Sequence, residues 1–136
     1  MSDEQYRIGM DEMRKHFGPL AAEYIQKIRD VSPEFAKVNV EFPFGELYTR
    51  NVLDDKTREL ATVAALTVQG ASLPQLRVHV KGALKCSASR EEVVEIIIQM
   101  IAYCGFPFAT NALLMAKEVF DELDVAPKLE GLNEQP

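Results

Sequence analysis

The chain has 136 residues, of which 47% are hydrophobic and 26% charged, and its formal net charge is −6. That balance belongs to a folded globular chain rather than a disordered one. The negative charge excludes the basic footprint that nucleic acid or an anionic membrane surface demands, so neither partner is expected. No uninterrupted run of about 18 apolar residues is present, which predicts no membrane-spanning helix.

Helix signals recur from end to end and strand signals are nearly absent. Ser2 followed by Gln5 reads as a capping box opening a first helix, and Gly18 should stop it. Pro19 fits the first turn of a second helix, Leu20 to about Asp30. Ser32-Pro33-Glu34 is an N-cap followed by proline at the first helical position, with Phe35, Val38 and Phe42 as the apolar stripe. Pro43 and Gly45 predict a bend or break near Phe44. Asp54 or Asp55 caps the next helix, which runs to Gly70. Ser72-Leu73-Pro74 starts another, carrying Leu76, Val80 and Leu84 at helical spacing. Ser89 and Glu92 form a second capping box, and the helix from Arg90 should end near Tyr103, before Gly105-Phe106-Pro107. A last helix covers Phe108 to Leu123. The expectation is an all-α, single-domain bundle of six to seven helices over residues 1–124, with a polar tail over 125–136 that is loose or packs on a neighbour.

The helix from Arg90 carries Val93, Val94, Ile96, Ile97, Ile98, Met100 and Ile101, which leave almost no polar face. A helix apolar nearly all round is buried on several sides, and a chain this short has little interior to spare. A homo-oligomer is the simple way to cover it.

Chemistry-bearing residues are few. His79 lies beside the apolar stripe of its helix, and a half-buried imidazole suits proton transfer near neutral pH; the same position also fits a core histidine bonded to a backbone carbonyl. Glu59 opens its helix, where the dipole favours a carboxylate, and on an inward-facing rotamer it would orient His79 or exchange a proton with it. Arg50, Arg58 and Arg77 are the nearest cations, fit either for a solvent-facing surface or for holding a carboxylate bidentately. His16 falls in the last turn of the first helix, where a cation favours the dipole. Neither His-x-x-x-His nor His-Glu-x-x-His spacing occurs, so no metal is expected, and no glycine-rich phosphate loop implies a nucleotide cofactor. Cys86 and Cys104 form no Cys-x-x-Cys pair and are too few for a disulfide framework. The polar start Ser2-Asp3-Glu4-Gln5 is unlike a secretory leader, so a cytoplasmic location is expected.

Several segments together resemble the carboxymuconolactone decarboxylase family. They are Phe44-Gly45-Glu46-Leu47-Tyr48-Thr49-Arg50; Leu53 to Leu66 with Thr57-Arg58-Glu59-Leu60 inside it; Leu76-Arg77-Val78-His79-Val80-Lys81-Gly82-Ala83; Glu91-Glu92-Val93-Val94-Glu95; and Tyr103-Cys104-Gly105-Phe106-Pro107. The resemblance implies an all-α fold in a ring-like homo-oligomer, a trimer or hexamer. The alkylhydroperoxidase branch of the family carries a Cys-x-x-Cys pair just before the histidine. Ser72 and Gln75 stand at those positions here, which disfavours thiol peroxidase chemistry. The likeness is to the cofactor-free branch that decarboxylates 4-carboxymuconolactone in aromatic catabolism. It implies a small anionic lactone or organic acid as substrate. His79 would be the proton donor and Glu59 its partner. Arg58, with Arg50 or Arg77, would hold substrate carboxylates, and Tyr103 would donate to the oxyanion. A related lactone or keto acid, or a non-catalytic metabolite-binding oligomer, are the other readings of the same residues.

Overall fold

The computed structural model describes residues 3–133, with side chains through residue 125. It is helical throughout, and no strand occurs among the described residues. In chain order come α1 (Asp3–Phe17), α2 (Leu20–Val31), α3 (Pro33–Glu41), a π turn (Pro43–Leu47), α4 (Asp55–Gln69), α5 (Leu73–Lys85) and α6 (Arg90–Asn133). The all-α reading therefore holds. The chain forms two compact units, Met1–Arg58 and Glu59–Pro136.

The capping chemistry explains most helix starts. Ser32 Oγ accepts from the Phe35 amide at 3.1 Å, and Pro33 follows it. Asp54 Oδ1 accepts from the Thr57 amide at 2.8 Å and fixes the start of α4. Ser89 and Glu92 satisfy each other's amides reciprocally, both at 3.0 Å, and open α6. The Ser2 cap lies outside the described residues.

In the first unit, Met10, Met13 and Phe17 of α1 pack with Ala21 and Ile25 of α2, Ala36 and Val40 of α3, and Phe44 of the π turn. A Cβ added to Gly9 would stand 2.5 Å from the Val40 carbonyl oxygen, so α1 and α3 touch backbone to backbone there. The break expected near Phe44 takes the form of a widened turn: Leu47 and Tyr48 donate five residues back, to Phe42 at 3.1 Å and to Pro43 at 2.8 Å. Proline has no amide to donate, and the wider turn keeps the chain hydrogen-bonded around it.

In the second unit, Val63 of α4, Leu76, Val80 and Ala83 of α5, and Val93, Ile97, Ala109, Ala112, Ala116 and Val119 of α6 form the core. The two helices expected over 90–103 and 108–123 join without a loop. Gly105 alone departs from helical geometry, at φ 80° and ψ 172°, a conformation side-chain-bearing residues avoid. The turn there is a reversal. Arg90 grips Asp124 through two contacts, at 2.8 and 3.3 Å, although 34 residues separate them. A straight helix would hold them about 50 Å apart. α6 is thus an αα-hairpin with antiparallel arms. Its second arm stays helical to Asn133, so the expected loose tail from Val125 begins instead as a continuation of that arm; residues 134–136 lie outside the described residues.

Residues 90–125 are long and apolar enough to cross a bilayer by length and composition, with a window of mean hydropathy 1.6. Counting uninterrupted apolar residues missed this, because isolated polar positions such as Glu95 and Gln99 break the run without lowering its average. The reversal at Gly105 divides that stretch into two shorter rods. Only 17% of the window is buried within the chain, which leaves Ile98, Phe106, Phe108 and Leu114 exposed.

Candidate active site

Each unit holds one histidine beside carboxylates. In the second unit, Glu59 in the first turns of α4 is fully buried and faces inward. Its Oε2 lies 2.8 Å from Nδ1 of His79 on α5, whose side chain is 17% exposed. An ionised carboxylate only accepts, so Nδ1 carries the hydrogen and donates to Glu59. The ring keeps 17% of its side-chain surface exposed. The pair has a fixed tautomer, a buried orienting carboxylate and a partly open imidazole, an arrangement suited to handing over or taking up one proton.

The other residues singled out in the sequence fall in different surroundings. Arg77 is tied to α6, with Nη1 3.4 Å from Glu118 and Nη2 against Glu122. Lys81 Nζ shares Glu122 at 3.2 Å. With two carboxylates already on its guanidinium, Arg77 ties α5 to α6. Tyr103 is 73% exposed near the end of the first arm of α6. Cys86 and Cys104 are half-buried and outside any disulfide.

Arg50 and Arg58 belong to the first unit. Arg58 Nη2 donates to the Arg50 carbonyl at 3.1 Å, and its guanidinium carbon lies 6.0 Å from the Tyr48 ring centroid. The segment Tyr48–Asp55, with Glu12 and Lys15, lines a polar cleft of about 650 Å³.

That cleft borders a cluster the sequence reading missed. His16, expected only as a last-turn cation favoured by the dipole of α1, is fully buried. Its Nε2 lies 3.2 Å from Glu12 Oε1 and 3.3 Å from Asp55 Oδ1. Lys15 Nζ bridges the same two carboxylates at 2.8 and 3.0 Å. The hydrogen bond that the Lys15 ammonium donates to Glu12 is the chief cause raising its pKa. Burial works to raise the Asp55 carboxyl, but Lys15 and His16 outweigh it and hold the group below its ordinary value. The signal was present as Glu12 and His16 at i, i+4, one turn apart on one helix face. Glu41 is a second surprise: its carboxylate is fully buried, makes no hydrogen bond, and has Lys37 Nζ at 3.9 Å.

Comparison with known proteins bears on the whole of this arrangement. Residues 33–118 match the carboxymuconolactone decarboxylase family. An uncharacterised 15.0 kDa protein from the nqo9–nqo10 intergenic region of Paracoccus denitrificans is 37% identical over 83% of this chain and 86% of its own length. The 4-carboxymuconolactone decarboxylase of Acinetobacter baylyi is 30% identical over 94% of this chain and 96% of its own. The nitrosuccinic acid decarboxylase of Metarhizium robertsii is 26% identical, over 90% and 88%.

Proposed function

Since the chain belongs to the carboxymuconolactone decarboxylase family, we propose that it is a decarboxylase of the 4-carboxymuconolactone type, with His79 and Glu59 as its acid-base pair. The observation that carries this reading is the 2.8 Å contact between His79 Nδ1 and the wholly buried Glu59. In the proposed reaction the bond to the departing carboxylate breaks, carbon dioxide leaves, and the electron pair spreads as a dienolate onto the lactone carbonyl. No cofactor is required, because the lactone itself is the electron sink. His79 Nε2 delivers a proton to carbon, while Glu59 holds the ring and stabilises its charged form. Arg58, the residue before Glu59, and Arg50 are the cations assigned to substrate carboxylates. Tyr103 is assigned to the oxyanion. The proposed assembly is a cytoplasmic homo-oligomer, a trimer or hexamer, that covers the exposed apolar residues of α6.

A second reading takes a nitro-substituted small diacid as substrate. It is favoured by the likeness to nitrosuccinic acid decarboxylase, and a nitro group would accept the same electron pair.

The test is an ultraviolet assay with freshly generated 4-carboxymuconolactone, run in parallel with nitrosuccinate, on wild type and His79→Ala. Turnover of the lactone by wild type, reduced about 10²- to 10⁴-fold in the variant, is the expected result. Turnover of nitrosuccinate alone transfers the mechanism to the second substrate. A folded wild type inert on both would sink the reading.

A further inference from the structure

We propose that Glu12, His16 and Asp55 form a binding site for a first-row divalent transition metal, and that Lys15 is a resident cation which the metal displaces. The site belongs to the first unit and does not depend on the activity proposed above.

The first argument is geometric. One ligand atom from each of the three residues lies within 4.8 Å of the others. The separations from His16 Nε2, 3.2 Å to Glu12 and 3.3 Å to Asp55, exceed the roughly 2.9 Å of a good N–H···O bond. One ring nitrogen thus faces both carboxylates at once. The same separations match the edge of a tetrahedral metal site, about 3.4 Å for ligands some 2.0–2.1 Å from zinc. A modest turn of the Asp55 side chain, which is 33% exposed, would close the remaining edge.

The second argument is rigidity. The His16 ring is wholly buried and packs against three aromatic rings, with centroids 5.9 Å from Phe17, 6.3 Å from Phe44 and 5.2 Å from Tyr48. A ligand held in one orientation loses little freedom on binding. Glu12, one turn earlier on α1, is nearly as fixed, with a side chain 12% exposed.

Charge and access complete the case. A divalent ion would neutralise both carboxylates by itself, taking over the part that Lys15 and His16 play in holding Asp55 ionised. Lys15 is the movable member: its side chain is 53% exposed and can swing into solvent. The cleft of about 650 Å³ lined by Glu12, Lys15 and Asp55 gives a route in and room for a water as fourth ligand. A carboxylate–imidazole donor set suits zinc, cobalt or manganese better than a soft ion.

The experiment uses the full chain, stripped with a chelator and titrated with zinc chloride by calorimetry. Cobalt(II) visible spectra report the ligand type. One zinc per chain is expected, with affinity weakened at least roughly tenfold in Glu12→Gln and in Asp55→Asn. Lys15→Met should bind zinc more tightly than wild type, because the competing ammonium is gone. That exposed position keeps the test decisive even where a buried variant fails to fold. An absence of zinc uptake by wild type and Lys15→Met alike would overturn the proposal. So would affinity indifferent to Lys15→Met, or a thiolate-to-cobalt band placing the ion on Cys86 or Cys104.

Discussion

The two histidines of this chain sit in opposite kinds of surroundings. His79 meets one buried carboxylate and keeps a partly open edge. His16 is fully enclosed, with two carboxylates, the ammonium of the adjacent Lys15 and three aromatic rings around it. A partly exposed imidazole with one nitrogen held by a carboxylate suits exchange of a proton. An imidazole closed in on every side fixes helices, or holds an ion, and reaches a substrate poorly. The difference teaches that a histidine's neighbours, and above all what they leave open, decide its chemistry.

The contrast can be broken most strongly at His79. His79→Gln keeps a hydrogen-bonding side chain beside Glu59 but cannot carry the proton, so kcat/KM should fall about 10²- to 10⁴-fold while the helical circular dichroism signal persists. Equal activity in the variant would remove the distinction. At the other centre, His16→Ala leaves a cavity and two under-paired carboxylates. It should cost about 2–4 kcal/mol of unfolding free energy in urea, with turnover per folded molecule retained at low temperature. Gly9→Ala sharpens the comparison by straining the first unit alone. The new methyl meets the Val40 carbonyl oxygen, for an expected loss of about 1–3 kcal/mol, read from the thermal midpoint. The smallest effect is at Asp54, whose carboxyl is held below its ordinary 3.8 by hydrogen bonds from Thr57. A carboxyl depressed in the folded state contributes stability at higher pH and loses it as pH falls through the folded value. Urea midpoints taken from about pH 5 to about pH 2 should therefore decline less steeply in Asp54→Asn, which keeps the cap without the charge.

Much of the fold was legible because it is written locally. The caps at Ser32, Asp54 and Ser89 are statements about three or four adjacent residues, and the structure forms each of them. Leu76 and Val80 lie in the core because one turn of helix brings them to one face. What escaped the sequence was long-range. Nothing in the chain near Arg77 announces that Glu118 and Glu122 will claim it. His16 was misread because Asp55, its partner across the cluster, lies 39 positions away. The contact between Glu59 and His79 was anticipated only in outline, as consecutive antiparallel helices bringing a start near an end. Glu41 gave no warning: its burial depends on what packs over α3, and a charged residue in a short helix ordinarily faces water.

The reversal at Gly105 restricts how this chain can vary in length. Its two helical arms meet at one residue, so nothing lies between them to absorb an extra amino acid. One residue inserted there would rotate the second arm by about 100° around its own axis. The row Ala109, Ala112 and Ala116 would leave the core, and bulkier neighbours would arrive where only methyl groups fit. The irregular stretch 48–54 between the π turn and α4 carries no such phase relationship. A change of length should therefore cost the helical core more at the hairpin corner than in that stretch, because the corner works like a gear with no slack.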